Sequence, residues 1–133
     1  MSKSVILRTD GGSRGNPGPA AIGYVIEDQT GKVIKEQGRY LGEKTNNEAE
    51  YLALITGLEE VKKLGAEEVK CYLDSELVAR QLNREYKVKD KALASLFVKV
   101  WNLSQSFKKI SYHHVLRGQN KRADILLNQV LDQ

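Results

Sequence analysis

Four acids of this 133-residue chain stand where ordinary surface carboxylates do not. Asp10 follows the apolar run Val5-Ile6-Leu7 and precedes a glycine-rich segment. Asp74 follows Cys71-Tyr72-Leu73 and precedes Ser75, a residue type suited to capping a helix. Both therefore fall at the carboxyl ends of predicted strands, where open α/β sheets place their sites. Glu50 lies three and four residues before Ala53 and Leu54, and seven and eight before Gly57 and Leu58. It shares the apolar stripe of a predicted helix, where a carboxylate is costly unless paired or bound to a metal. Glu48 is roughly 200° around the same helix and looks towards solvent or the loop. Asp124, three residues before Leu127 and seven before Leu131, sits on the inward stripe of a last helix, in its first turn.

Each acid has a plainer alternative. Asp10 suits a turn, Asp74 a helix cap, Asp124 a favourable first-turn charge, and Glu50 a buried salt bridge. Together they converge, and four clustered carboxylates repel one another unless cations neutralise them. Hard oxygen ligands, with one cysteine in the chain and no well-spaced histidine pair, point to Mg²⁺ or Mn²⁺. Two such ions roughly 4 Å apart are the usual machinery of phosphodiester hydrolysis.

The elements that must position these acids follow from periodicity. Ser4–Thr9 reads as a short strand. The segment 10–19 holds four glycines and both prolines, and is predicted to be turn or loop. Segments 20–28 and 33–40 are strand-like and flank a hairpin connection, Gln29-Thr30-Gly31-Lys32. Residues 42–47 read as polar loop. An amphipathic helix is predicted over 47–64, with Ala53, Leu54, Gly57, Leu58, Val61 and Leu64 on one face and Gly65 ending it. Val69–Leu73 is a candidate central strand. Ser75 caps a helix to about Asn83, and a second amphipathic helix spans about 91–106. Segment 110–116 is a fifth strand. Asn120 is expected to cap a last helix, with Leu127, Val130 and Leu131 packing inward. The order β-β-β-α-β-α-α-β-α predicts an α/β fold. Its mixed five-stranded sheet has an antiparallel meander followed by strands entering parallel through helical crossovers, all flanked by helices.

Composition sets the frame. A hydrophobic fraction of 41% and a charged fraction of 29% fit one globular domain over 1–133. The lone cysteine, Cys71, excludes an intrachain disulfide framework and reads as a buried, inert thiol. No apolar run is long enough to span a membrane, and the start, Met1-Ser2-Lys3-Ser4, lacks a signal-peptide pattern. A soluble, cytoplasmic monomer is expected. The net charge of +4 is unevenly spread. Residues 78–122 carry eleven Lys/Arg against two acids, a local net of +9 that leaves −5 elsewhere. That asymmetry suits a polyanionic partner, although a solvated helix face gives the same count.

Four stretches carry a closer likeness. The segment Asp10-Gly11-Gly12-Ser13-Arg14-Gly15-Asn16-Pro17-Gly18-Pro19, with the residues that follow it to Gly23, resembles the first signature of type 1 ribonucleases H. Thr45-Asn46-Asn47-Glu48-Ala49-Glu50-Tyr51 resembles the second, in its archaeal and bacterial form. Leu73-Asp74-Ser75-Glu76-Leu77-Val78 is similar to the third, and Arg117-Gly118-Gln119-Asn120-Lys121-Arg122-Ala123-Asp124 to the fourth. Order and spacing match across residues 4–131. The resemblance implies the ribonuclease H-like fold and cleavage of the RNA strand of RNA/DNA hybrids, leaving 5′-phosphate and 3′-hydroxyl ends, with side activity on double-stranded RNA left open. It implies that Asp10, Glu50, Asp74 and Asp124 are catalytic and hold two divalent ions. It also implies that Gly11, Gly12, Ser13, Asn16, Asn46, Asn47 and Ser75 contact the hybrid.

Three departures qualify this. Many members carry a catalytic histidine on the loop before the last helix. Here that loop, about Leu116–Asn120, has none, and His113 and His114 fall on the preceding strand. Arg117 is the charged group nearest the fourth acid and is assigned an assisting role; a guanidinium is no general base at neutral pH. Glu76 stands where many members have Gln. There is no long basic protrusion and no separate hybrid-binding module, which predicts distributive action. Arg80, Arg84, Lys87, Lys89 and Lys91 are placed along the DNA strand, and Phe97 and Trp101 in the core. Rival readings are another nuclease of the same fold, a catalytically silent hybrid-binding module, and a domain of a larger polyprotein. The asparagines of the second motif, the four retained acids and the short ends argue against them in turn.

Overall fold

The computed structural model describes residues 4–133. The reading of Met1-Ser2-Lys3 as lacking a leader pattern lies outside them. β1 (Ser4–Ser13), β2 (Gly18–Glu27) and β3 (Val33–Lys44) form an antiparallel meander. The later strands, β4 (Glu68–Leu73) and β5 (Lys109–His114), join parallel to β1 and to each other. The sheet order is β3-β2-β1-β4-β5. This is the mixed five-stranded sheet, meander first and parallel strands after, that the sequence predicts.

One face carries α1 (Asn46–Lys63), with α3 (Lys91–Ser104) packed on it and the short α2 (Glu76–Leu82) beside β4 and β5. The main core lies there: Leu7, Tyr24, Ile26, Tyr51, Leu54, Leu58, Val61, Val69, Cys71 and Leu73 are all sealed from solvent. Because α2 and α3 both pack beside α1, Tyr51 and Ile55, which lie off the predicted stripe, are buried as well, Tyr51 donating to Gln81 of α2 at 2.7 Å. Leu64 is instead exposed at the helix end. On the opposite face α4 (Lys121–Leu131) lies across β2, β3 and β1. There Ala123, Leu126 and Leu127 are buried, while Val130 and Leu131 are only half-buried. Among the described residues no helix is long and apolar enough to cross a membrane.

The structure corrects three expectations. Segment 10–19 is not a long loop: β1 continues to Ser13 and β2 begins at Gly18, with Gly11 facing Ile22 and Ser13 facing Ala20. Of its glycines, Gly11 serves close packing, while Gly15, at φ +109°, makes the turn between the two strands. A Cβ on Gly11 would lie 2.1 Å from the Ala49 carbonyl oxygen of α1, and one on Gly23 would lie 2.2 Å from that of Ala123 in α4. Only glycine lets both helices press on this part of the sheet. β3 likewise runs on to Lys44, four residues past the predicted end, across a bulge opposite Ala20 and Ala21. Trp101, placed in the core from its helical spacing, is 47% exposed, because α3 turns that side away from α1.

Candidate active site

Strand pairing places two of the acids side by side. Thr9 of β1 pairs in parallel register with Leu73 of β4, so Asp74, just past the end of β4, stands beside Asp10, which lies within β1 where the β4 pairing stops. Asp74 does not cap α2. That role belongs to Ser75, whose hydroxyl accepts from the Val78 amide at 3.2 Å. Asp10 is no turn former either, since it remains in β1 opposite Gly23.

α1 brings the third acid. Thr45 caps this helix, and Glu48 closes a capping box by accepting from the Thr45 amide at 2.9 Å. Glu48 is thereby used at the helix end, and Glu50 turns inward and is buried. The Glu50 carboxylate accepts from the Gly11 amide. Carboxylate oxygens of Asp10, Glu50 and Asp74 all lie within 4.8 Å of one another. Asp124 stands beside this trio on the first turn of α4, touching Asp10, with its outer side paired to the Arg117 guanidinium at 3.2 Å.

The electrostatics match this crowding. Burial, then the charge of Asp74 and contact with Asp124, pushes Asp10 up to about 8. Burial first, then Asp10 and Asp74, holds Glu50 well above the ordinary carboxylate range. Asp74 is raised as well, mainly by burial. Among the described residues no Lys or Arg forms an ion pair with the trio, and Asp10 Oδ2 is buried without a hydrogen-bond partner. An unmet buried oxygen amid clustered hard oxygen donors fits a hard divalent cation such as Mg²⁺ or Mn²⁺.

These acids floor a cleft of about 380 Å³. Gly11, Gly12, Ser13, Asn46, Ser75 and Arg117 also line it, so the cleft gathers most of the residues singled out from sequence. Asn16 stands behind the wall, its Oδ1 accepting from the Asn46 amide at 2.9 Å, while the Asn46 Oδ1 accepts from the Ser13 amide at 3.3 Å. A backbone N–H is met only by the oxygen of a side-chain amide, so both asparagines leave their Nδ2 groups to donate elsewhere. Asn47 is in the first turn of α1 and outside the lining. His113 and His114 are exposed on β5, and no described histidine lines the cleft. Arg14 and Asn128 line it unforeseen. The i+4 spacing of Asn128 from Asp124 was a usable signal, since it puts both on one helix face. Arg14, by contrast, is drawn there by contacts far along the chain, donating to the Leu131 carbonyl at 3.2 Å and pairing with Asp132.

Comparisons with known proteins bear on the family and the fold. A family described as "Reverse transcriptase-like" matches residues 8–130. Ribonuclease HI of Halobacterium salinarum is 42% identical over 92% of the chain. The crystal structure of RNase H1 from that archaeon superposes with a TM-score of 0.95 at 41% identity, covering 97% of this chain and 98% of that one. The chain belongs to the ribonuclease H family. A crystal structure of the family member LC11-RNase H1 in complex with an RNA/DNA hybrid gives a TM-score of 0.92 at 43% identity over 96% of both chains. A bifunctional protein of Mycobacterium tuberculosis is 43% identical over 96% of this chain. The chain spans only 35% of the length of that mycobacterial relative, and 62% of the halobacterial one.

Proposed function

We propose that this chain is a metal-dependent endonuclease that hydrolyses the RNA strand of RNA/DNA hybrids, acting as a monomer. The observation that carries the reading is the trio of Asp10, Glu50 and Asp74. Three buried or half-buried carboxylates share one spot, and among the described residues no Lys or Arg forms an ion pair with them. Such a cluster is costly to fold and is retained where an ion offsets it.

Asp10, Glu50, Asp74 and Asp124 would hold two divalent ions. When bound, these supply charge neutralisation at the scissile phosphate and acidify a water at neutral pH. The remaining work falls to the chain. The Gly11 amide and the packing of α1 fix Glu50 in one orientation, so that acid needs no reorganisation. The Nδ2 donors of the exposed Asn16 and Asn46, left over once their Oδ1 atoms are used, would suit phosphate oxygens and the RNA 2′-hydroxyl, the group that separates RNA from DNA. Gly12 and Ser13 leave the strand edge low enough for a sugar-phosphate backbone to approach. Arg117, 76% exposed and tethered to Asp124, would orient the scissile phosphate as it enters. Cleavage of this kind leaves 5′-phosphate and 3′-hydroxyl ends.

The test uses end-labelled RNA/DNA hybrid, double-stranded RNA and double-stranded DNA with Mg²⁺, Mn²⁺ or EDTA. The expected result is metal-dependent cutting of the hybrid, with double-stranded RNA cut more slowly and double-stranded DNA left intact. Asp74→Asn should abolish cutting while leaving hybrid binding largely in place. Absence of metal-dependent hybrid cleavage would overturn the reading.

A further inference from the structure

Asn120 precedes α4 and is a residue type strongly favoured as a helix N-cap. Its side chain makes no cap hydrogen bond. It turns inward instead and is 1% exposed. Its Nδ2 donates to the Thr9 carbonyl at 2.7 Å, one residue before Asp10. Only the amide nitrogen can meet a carbonyl oxygen, so this bond fixes the side chain's orientation. The other half of the amide, Oδ1, is left buried with no partner among the described residues. A residue that gives up its capping role and buries an unmet oxygen is not there to stabilise its own helix.

The backbone of Asn120 completes the pattern. Its amide donates to the Arg117 carbonyl at 3.0 Å and closes the short 3₁₀ turn that carries that arginine. Its carbonyl accepts from the Asp124 amide at 3.2 Å. One residue thus joins the Arg117 turn, the first turn of α4 and the strand that carries Asp10. Arg8 backs it up, donating from Nη1 to the Gln119 carbonyl at 3.3 Å. Asp124 arrives on the opposite side of the sheet from Glu50, and it has no strand pairing to fix its distance from Asp10.

We propose that Asn120 is a positioning residue: its bond to the Thr9 carbonyl sets Asp124 and Arg117 in register with Asp10, and so completes the ion-binding side of the cleft that α1 does not supply. This rests on the reading of the cleft as a hydrolytic site, but the tether has readouts of its own. In the metal-free wild-type protein, the Asn120 side-chain amide protons should exchange with solvent far more slowly than those of exposed asparagines such as Asn102. Asn120→Asp keeps the shape and removes the donor. It should weaken Mn²⁺ binding measured by calorimetry without substrate by about tenfold. It should also lower kcat on the hybrid by about a hundredfold, with KM changed less than about twofold, as expected of a small misplacement. Asn120→Ala should reproduce this without adding charge.

Val61→Ala, a core truncation on the far part of α1, is the control for destabilisation alone. It should lower the melting temperature and leave kcat and Mn²⁺ affinity at wild-type values. The proposal is overturned by fast exchange of the Asn120 amide in the wild type, or by Asn120 variants that lose stability but keep Mn²⁺ affinity. If the wild type binds Mn²⁺ and protects Asn120 yet does not cut hybrid, the hydrolytic reading fails and the tether stands. If neither variant folds, wild-type exchange alone decides the tether.

Discussion

The Gly11 amide donates to the buried Glu50 carboxylate, locking a glycine of β1 to an acid of α1. The contact exists because the backbones of β1 and α1 nearly touch. A Cβ at position 11 would meet the carbonyl oxygen of Ala49 at 2.1 Å and the amide nitrogen of Glu50 at 2.6 Å. Both are backbone atoms and cannot swing away. Gly11→Ala should therefore push α1 off the strand and cost about 3 kcal/mol, the upper part of the range for overpacking. Chemical denaturation would read the loss. Cleavage should fall further than stability, because Glu50 moves with α1. A variant with wild-type stability and activity would show that the helix gives way at no cost.

Metal-free protein should become less stable as the pH rises from about 4 to about 8. Asp10 is raised to about 8 and Glu50 and Asp74 are raised with it. In the unfolded chain these groups titrate near 4. Between those values the folded state holds protons that the unfolded state has released, so raising the pH favours unfolding. Below about 4 both states are protonated, and above about 8 the effect levels off. Divalent ions reverse the trend because they bind the deprotonated carboxylates. Melting curves in EDTA should drop by on the order of 5 °C across this window. Added Mn²⁺ should raise the midpoint more at pH 8 than at pH 5. Asp74→Asn should flatten the EDTA curve in part, since burial is the leading cause for Asp10 and the charge of Asp74 the next. A midpoint that climbs with pH in EDTA would show the trio to be ionised without metal.

Arg117→Ala tests the residue standing nearest the place of the missing histidine. Its pairing with Asp124 is at the surface, 76% exposed on the arginine side, so stability should change by less than about 0.5 kcal/mol. If Arg117 orients the scissile phosphate, kcat should fall by about tenfold or more, and Arg117→Lys should recover only part of it, since an ammonium lacks the planar fork. A silent Arg117→Ala would reduce this residue to a surface partner of Asp124.

These variants also mark which features were legible beforehand. The choice of Glu50 over Glu48 followed from helical spacing, and the capping box shows why: Glu48 has a local task at the helix end. The placement of Asp74 just past the end of β4 was legible too, because an apolar run ahead of a polar residue marks where a buried strand stops; Asp10, expected at a strand end as well, lies within β1, which runs on to Ser13. The extension of β1 and β2 through residues 10–19 was not. Glycine has one letter for two physical uses, turning and close approach, and only the helices above and below Gly11 and Gly23 reveal which applies. Trp101 and Asn120 were misread for the same kind of reason. Periodicity shows that a residue is on a face, not whether another element covers that face. A cap signal shows that a side chain can serve the helix start, not that a carbonyl 111 residues away claims it first.

The exposure of Trp101 sharpens the expectation for the basic segment. Arg84, Tyr86, Lys87, Val88, Phe97 and Trp101 line one groove, and no acid lines it. Arg80, expected on the same path, is instead engaged by Glu76 at 3.0 Å and stacks on Tyr86. Arg84 and Lys87 have no such acidic partner among the described residues. If the hybrid's backbone follows this groove, each cation that meets a phosphate releases counterions, and affinity must fall steeply with salt. Arg84→Ala and Lys87→Ala should each reduce the slope of log affinity against log salt by about one, while kcat at saturating hybrid stays near wild type. Arg80→Ala should leave the slope nearly unchanged. Binding titrations of catalytically silent Asp74→Asn protein across a salt series would measure all three. Equal slopes for every variant would place the hybrid elsewhere on the surface.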